Sequence, residues 1–190
     1  MRALSFNSHG STLMGTMFIA EGDKLNPTLL LLHGFPGNET NFDIAHAARR
    51  AGWNVLVFHF RGIAGSEGEF SWANAIEDSK SAVEFLRSET CKEEYKVDAK
   101  RLVVAGHSMG GFLSFMTTAN DDKLKHAGFL AGFNYGLFGS FVHENQDAKD
   151  LTLQSLVNSV QFIRGKSAQE LLDDMVTNQN EWNLLNYLPQ

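Results

Sequence analysis

Cysteine is almost missing from this sequence. Cys91 is the only one in 190 residues, so no disulfide can close within the chain, and its polar setting (Thr90-Cys91-Lys92-Glu93) reads as an ordinary thiol. Long apolar runs are missing too. None approaches the roughly 18 residues that a membrane-spanning helix needs. The opening stretch, MRALSFNSHGSTLMG, has neither a long apolar segment nor a small-residue cleavage site. A secretory leader is therefore not expected, and a cytoplasmic location is the expectation. Basic clusters are also absent. Sixteen Lys and Arg stand scattered against 22 Asp and Glu, for a net charge of −6. This balance argues against a nucleic-acid partner and against an anionic membrane surface. No internal repeat or low-complexity segment interrupts the chain.

What remains is an ordinary globular composition, 43% apolar and 20% charged, long enough for one domain with a sizeable core. Its hydrophobic period switches repeatedly between strand and helix. Arg2–Phe6 and Leu13–Ile19 read as a hairpin around a Ser-His-Gly turn. TLLLL after Pro27, NVLVFHF and RLVVAG read as buried strands, and AGFLAGF as a fourth apolar strand candidate. Helices are expected between them: about Asn41 to Ala51 with a Thr40/Asp43 capping box, from near Ser71, and Ser108 to Ala119. Strands alternating with helices imply βαβ crossovers and a mainly parallel sheet with helices on both faces. From Tyr135 the rhythm changes. Residues 151–163 and 167–177, the second with a Ser167/Glu170 capping box, read as amphipathic helices with no strand between them. The expected division is a core over residues 1–134 and a helical lid over 135–190.

Three stretches carry chemistry. The first is Gly106-His107-Ser108-Met109-Gly110, between a strand and a helix. Gly-x-Ser-x-Gly alone would arise by chance in roughly one chain in twenty of this length. In a strand-to-helix setting it is far more specific. Such a turn strains the serine backbone, demands small neighbours at Gly106 and Gly110, and lifts the hydroxyl above the sheet edge beside a helix N-terminus. Ser108 is the candidate nucleophile. The second stretch is His33-Gly34-Phe35-Pro36-Gly37, also after a strand. Acyl transfer needs two fixed backbone N–H donors facing the oxyanion. Met109 and Phe35 are the candidates, since Pro36 has no N–H. His33 and Gly34 support that loop, His33 by hydrogen bonding and not as a base. The third is FHFRGIAGSEG, residues 58–68, in which Arg61 is expected to pair with a carboxylate or carbonyl, a substrate contact being the less favoured role.

Together, LLLLHGFPGNETNFD, FRGIAGSEGEFSWANAIED and VDAKRLVVAGHSMGGF resemble three successive signatures of the α/β-hydrolase superfamily, and within it the prolyl-oligopeptidase-like and acylaminoacyl-peptidase-like bacterial hydrolases. The resemblance runs from residue 13 to about residue 133. Serine at the elbow separates the chain from haloalkane dehalogenases, which carry Asp there, and dienelactone hydrolases, which carry Cys. The resemblance implies an α/β-hydrolase fold and a serine hydrolase of esters or amides, possessing neither cofactor nor metal, with a small-molecule or short-peptide acyl substrate.

A serine hydrolase also needs a histidine base and a carboxylate that orients it. In the resembling family both follow the lid, in the order Ser, acid, His. The resemblance thus places them, with the last strands of the sheet, beyond Gln190, and the chain reads as a C-terminally truncated fragment. Within the chain, His126 reads as an exposed turn residue, and His143 as a weak candidate base in the lid. Asn134 stands where some related lipases carry the acid, and it cannot act as a carboxylate. Glu77 and Asp78 are expected to make surface or helix-edge hydrogen bonds. The lid residues Leu137, Phe138, Phe141 and Val142 are expected to line an acyl pocket. An apolar last strand would leave an open edge suited to oligomerisation. Two other functions stay open: a non-catalytic ligand- or partner-binding module on the same scaffold, and an acyltransferase.

Overall fold

A computed structural model describes residues 1–37 and 40–188. Asn38 and Glu39 of the LLLLHGFPGNETNFD stretch, and Pro189 and Gln190, lie outside the described residues.

The chain opens with the expected hairpin, β1 (Arg2–Ser8) and β2 (Ser11–Phe18), paired antiparallel. His9 and Gly10 turn it with φ of 47° and 84°, two positive values that suit the right-handed twist of the strands. Four further strands follow: β3 (Asn26–Leu32), β4 (Asn54–Phe58), β5 (Val97–His107) and β6 (Ala127–Leu130). The sheet order is β1-β2-β4-β3-β5-β6. The β2–β4 pair is antiparallel, and β4–β3, β3–β5 and β5–β6 are parallel. All five residues of β4 are buried, as a strand covered on both faces requires.

Helix α1 (Phe42–Arg50) covers one face, where Phe18, Leu31, Val55 and Val57 pack with its Ala45. On the other face lie α2 (Trp72–Leu86) and α4 (Met109–Ala119), over Leu30, Leu32, Leu56 and Val104. Then α5 (Tyr135–Glu144), α6 (Gln146–Val160), α7 (Ala168–Thr177) and a 3-10 turn at Leu184–Tyr187 form the helical cap. The second core cluster continues without a break into the cap through Tyr135, Val142, Leu156, Leu171 and Trp182.

Some local expectations fail for identifiable reasons. The Thr40/Asp43 capping box does not form. Asn41 is the N-cap, held at φ 53°, and no side chain caps α1. The expected polar stretch around Cys91 is a further helix, α3 (Glu89–Tyr95), capped by Ser88. Its inward positions, Cys91 and Tyr95, are buried, and burial pushes the Cys91 thiol up to about 11, so it stays protonated. Strand β5 begins at Val97, earlier than RLVVAG suggests. The register shifts between Asn26–Val97 and Thr28–Leu102, and the Asp98 carboxylate accepts from Lys100 N at 3.0 Å across that irregularity. Helix α5 has no counterpart in the sequence reading. Its two inward glycines conceal it. A Cβ on Gly136 would sit 2.2 Å from Asn183 N, and one on Gly139 would sit 2.1 Å from Met175 O.

Candidate active site

Ser108 links β5 to α4 at φ 53°, ψ −118°, a conformation that non-glycine residues rarely hold. The expected backbone strain is therefore present, and the packing shows what imposes it. A Cβ on Gly106 would lie 2.2 Å from the Gly110 carbonyl carbon, and one on Gly110 would lie 2.1 Å from Leu32 O. Strand β3, the elbow and the first turn of α4 are thus in backbone contact. Ser108 N donates to Leu130 O at 3.0 Å, which fastens the elbow to β6. Gly111 N in turn donates to Ser108 O at 2.9 Å and starts α4.

The structure brings the second motif directly beside the first. A Cβ on Gly34 would meet the Ser108 Cβ at 3.2 Å, so the His33–Gly37 loop is in van der Waals reach of the elbow. Phe35 N–H has no partner among the described residues. Met109 is the first residue of α4, so the helix offers its N–H no acceptor. His33 is fully buried, and its Nδ1 lies 2.7 Å from Gly34 O. A carbonyl only accepts, so Nδ1 carries the proton. Burial lowers its pKa to about 4, which keeps the ring neutral.

Above Ser108 opens a cavity of about 410 Å³. One wall is aromatic: Phe35, Trp72, Phe133, Tyr135 and Phe138. Their rings form a continuous chain, with centroids 4.9 Å apart for Phe35–Trp72, 4.7 Å for Trp72–Tyr135, 4.9 Å for Tyr135–Phe133 and 4.8 Å for Phe133–Phe138. Helix α6 contributes Leu151, Thr152, Ser155, Leu156 and Ser159 to the lining, and Met175 of α7 completes it. Among the described residues no Asp, Glu, Lys, Arg or His lines the cavity.

Of the four lid residues expected to line it, only Phe138 does. Val142 is wholly buried against the core, whereas Leu137 and Phe141 are half exposed and border a separate shallow groove. The cause is the rotation of α5, which its inward-facing Gly136 and Gly139 set. Trp72 and Tyr135 had no functional signal in the sequence beyond helical spacing of apolar residues. The Thr152-Ser155-Ser159 stripe carried one, since spacings of three and four place the hydroxyls on one helix face.

The cap is fastened to residues 60–70. Ile63 bridges to Ile163 and Phe70 to Gly165. Phe70 N donates to Arg164 O and Arg164 N to Gly62 O, both at 2.8 Å. Trp72 Nε1 donates to Leu171 O at 2.9 Å. Arg61 holds that loop from below, as expected, through Asp78 and Glu77. Its Nε donates to Asp78 Oδ1 at 2.7 Å, and its Nη2 donates to Glu77 Oε2 at 2.7 Å and to Asn74 O at 3.0 Å. The surface role expected of Asp78 is corrected. It is fully buried and also accepts from Ser8 Oγ at 2.6 Å and Arg61 N at 2.9 Å. Burial pushes its carboxyl above the ordinary range.

The remaining candidates lie elsewhere. His126 and His143 are exposed. Asn134 caps α5, its carbonyl accepting from Leu137 N at 3.1 Å and its amide donating to Asn183 at 3.1 Å. Among the described residues no imidazole hydrogen-bonds to the Ser108 hydroxyl, and no group of three or more His, Cys, Asp or Glu could hold a metal. No described helix is long and apolar enough to cross a membrane.

A strained serine between a strand and a helix, at the end of a sheet in this order, defines an α/β-hydrolase fold. Residues 29–179 match the model of the alpha/beta hydrolase family, and the chain belongs to that family. Among solved structures it is similar to acylaminoacyl peptidase from Pyrococcus horikoshii (TM-score 0.68, 17% identity, covering 98% of this chain and 29% of that one). It is also similar to acetyl xylan esterase from Paenibacillus sp. R4 (TM-score 0.67, 17% identity, 97% of this chain and 63% of that one). Among curated proteins, an uncharacterized 31.7 kDa Escherichia coli protein is 30% identical over 115 residues, 58% of this chain and 38% of that protein. Quorum-quenching protein AidA of Acinetobacter baumannii is 28% identical over 127 residues, 64% of this chain and 40% of that protein. The chain thus spans well under half the length of these curated relatives.

Proposed function

We propose that this hydrolase is a serine hydrolase of esters or amides that works through an acyl-enzyme on Ser108. The carrying observation is the coincidence of three features at one point: the strained Ser108, the unengaged Phe35 N–H beside it, and the cavity above both. In this reading the Ser108 hydroxyl attacks the substrate carbonyl. The resulting oxyanion is held by the Phe35 and Met109 amides, helped by the positive end of α4. The acyl group occupies the aromatic cavity. The histidine and carboxylate of the triad are supplied by polypeptide outside residues 1–190, because no described imidazole reaches the serine.

A fluorophosphonate probe and p-nitrophenyl esters test this on the full reading frame of the gene and on residues 1–190 alone. The full frame is expected to be labelled at Ser108, and Ser108→Ala to abolish labelling and turnover. Residues 1–190 are expected to react at least about 10⁴-fold more slowly. Labelling that survives Ser108→Ala would refute the nucleophile. Rapid labelling of residues 1–190 would refute the external base.

A second reading keeps the cavity without the chemistry, as a ligand-binding module. That the Ser108 hydroxyl has no hydrogen-bond partner among the described residues favours it, and ligand binding without turnover by the full reading frame is its signature. An acyltransferase would share the acyl-enzyme and differ in the acceptor.

A further inference from the structure

The cavity above Ser108 contains a polar group that the proposed chemistry does not use. Tyr135 is 5% exposed and lines the chamber, yet its hydroxyl has no hydrogen-bond partner among the described residues. The hydroxyl is not sealed in the core but opens onto the chamber, where a ligand oxygen can take its hydrogen bond. The neighbours offer nothing in exchange. Trp72 already donates to Leu171 O, and the rings of Phe112 and Phe133 pack against the Tyr135 ring with centroids 4.8 and 4.9 Å away. Burial raises the Tyr135 pKa far above its ordinary value, so the group is a permanent neutral donor.

Helix α6 adds further hydroxyls to the lining. Thr152 Oγ1 donates to Ala148 O at 2.7 Å and Ser159 Oγ to Ser155 O at 3.1 Å, which leaves oxygen lone pairs free. Ser155 Oγ has no partner among the described residues. Among the described residues no ionisable side chain of either sign lines the space, so a charged ligand would find no counter-charge on them.

We propose that Tyr135 is a specificity-determining residue. Its hydroxyl donates to an acceptor oxygen on a neutral ligand whose flat apolar body lies against the aromatic wall. Resting on the hydrolase reading, this names the substrate class as esters or amides of a neutral aromatic acyl group with an ether or hydroxyl oxygen beyond the ring. Carboxylate-bearing acyl groups are excluded. The placement follows from the composition of the lining: its rings accept the flat body, and its hydroxyls, that of Tyr135 among them, meet the polar end.

Binding separates this proposal from the question of catalysis. The probes are two ketones that mimic the acyl group without a leaving group, 4-(4-methoxyphenyl)butan-2-one and 4-phenylbutan-2-one, together with the anionic 4-(3-oxobutyl)benzoate. Calorimetric titration uses the full reading frame, as the parent protein and in a Ser108→Ala background. The methoxy ketone is expected to bind about tenfold more tightly than its unsubstituted partner, a typical value for one hydrogen bond. Tyr135→Phe should erase that difference and leave 4-phenylbutan-2-one unaffected. The benzoate should not bind. Loss of affinity for both neutral ketones in Tyr135→Phe would overturn the proposal, as would an unchanged preference, tight benzoate binding or no binding of either ketone. Binding retained in Ser108→Ala with no esterase activity in the parent would refute the hydrolase reading while leaving the recognition role standing.

Discussion

Gly106 and Gly110 flank Ser108 for a reason that is local and steric. Each would drive a Cβ into backbone about 2 Å away, at Gly110 and at Leu32 respectively. Backbone cannot give way as a flexible side chain can. Gly106→Ala and Gly110→Ala are each expected to cost at least about 3 kcal/mol, read by urea unfolding. An alanine tolerated at either position without loss would show that the elbow relaxes. His33 supplies a second test at this scale. Its folded pKa of about 4 lies below the ordinary 6.5, so the unfolded chain binds more protons between those values. Its contribution is therefore complete above pH 6.5 and falls away as the pH drops toward 4. The full loss is about 3 kcal/mol. The difference between the parent and His33→Asn in unfolding free energy should follow this slope. A pH-independent difference would mean that His33 titrates normally. Both motifs were legible in sequence because each needs only a handful of adjacent residues. Tyr135 was not legible, because its environment comes from residues up to 63 positions away, such as Trp72.

Among the elements, the loop after β4 and the helix α2 depend on one buried ion pair. Arg61 is 8% exposed, and Asp78, on α2, is fully buried and receives three hydrogen bonds from Ser8 and Arg61. Asp78→Ala strands the guanidinium, with only the half-exposed Glu77 left as a counter-charge. A loss of about 3–5 kcal/mol is expected. Removing both partners should cost less than the sum of the single changes, as a double-mutant cycle would show. Additive losses would indicate that the two side chains act independently. The helix α7 provides a milder case. The Ser167/Glu170 capping box expected from sequence is formed in both directions. Ser167→Ala should cost about 1 kcal/mol. A capping box is readable because its partners are three residues apart. The Arg61–Asp78 pair was half readable: Arg61 was expected to pair with a carboxylate or a carbonyl, but nothing local says that the helix turns Asp78 inward.

For the whole molecule, β6 is the sheet's outer strand among the described residues, and it pairs on one side only, with β5. Phe129 and Leu130 on it are 49% and 38% exposed. An apolar strand with unpaired backbone recruits another strand. Residues 1–190 are expected to self-associate with rising concentration, read by light scattering, and Phe129→Lys to reduce it. Association unaffected by Phe129→Lys would place the contact elsewhere.

Period, turn residues and short motifs determined the strand and helix alternation, the elbow, the His33–Gly37 loop and the change of rhythm after residue 134. These features depend on neighbours within a turn or two, so the sequence holds them directly. Only the tertiary structure decided which lid residues face the cavity, that Trp72 and Tyr135 share one aromatic wall, and that Arg164 and Gly165 fasten the cap to the loop after β4. Those outcomes depend on the rotation of α5 and on contacts across about 100 residues, which no local pattern encodes.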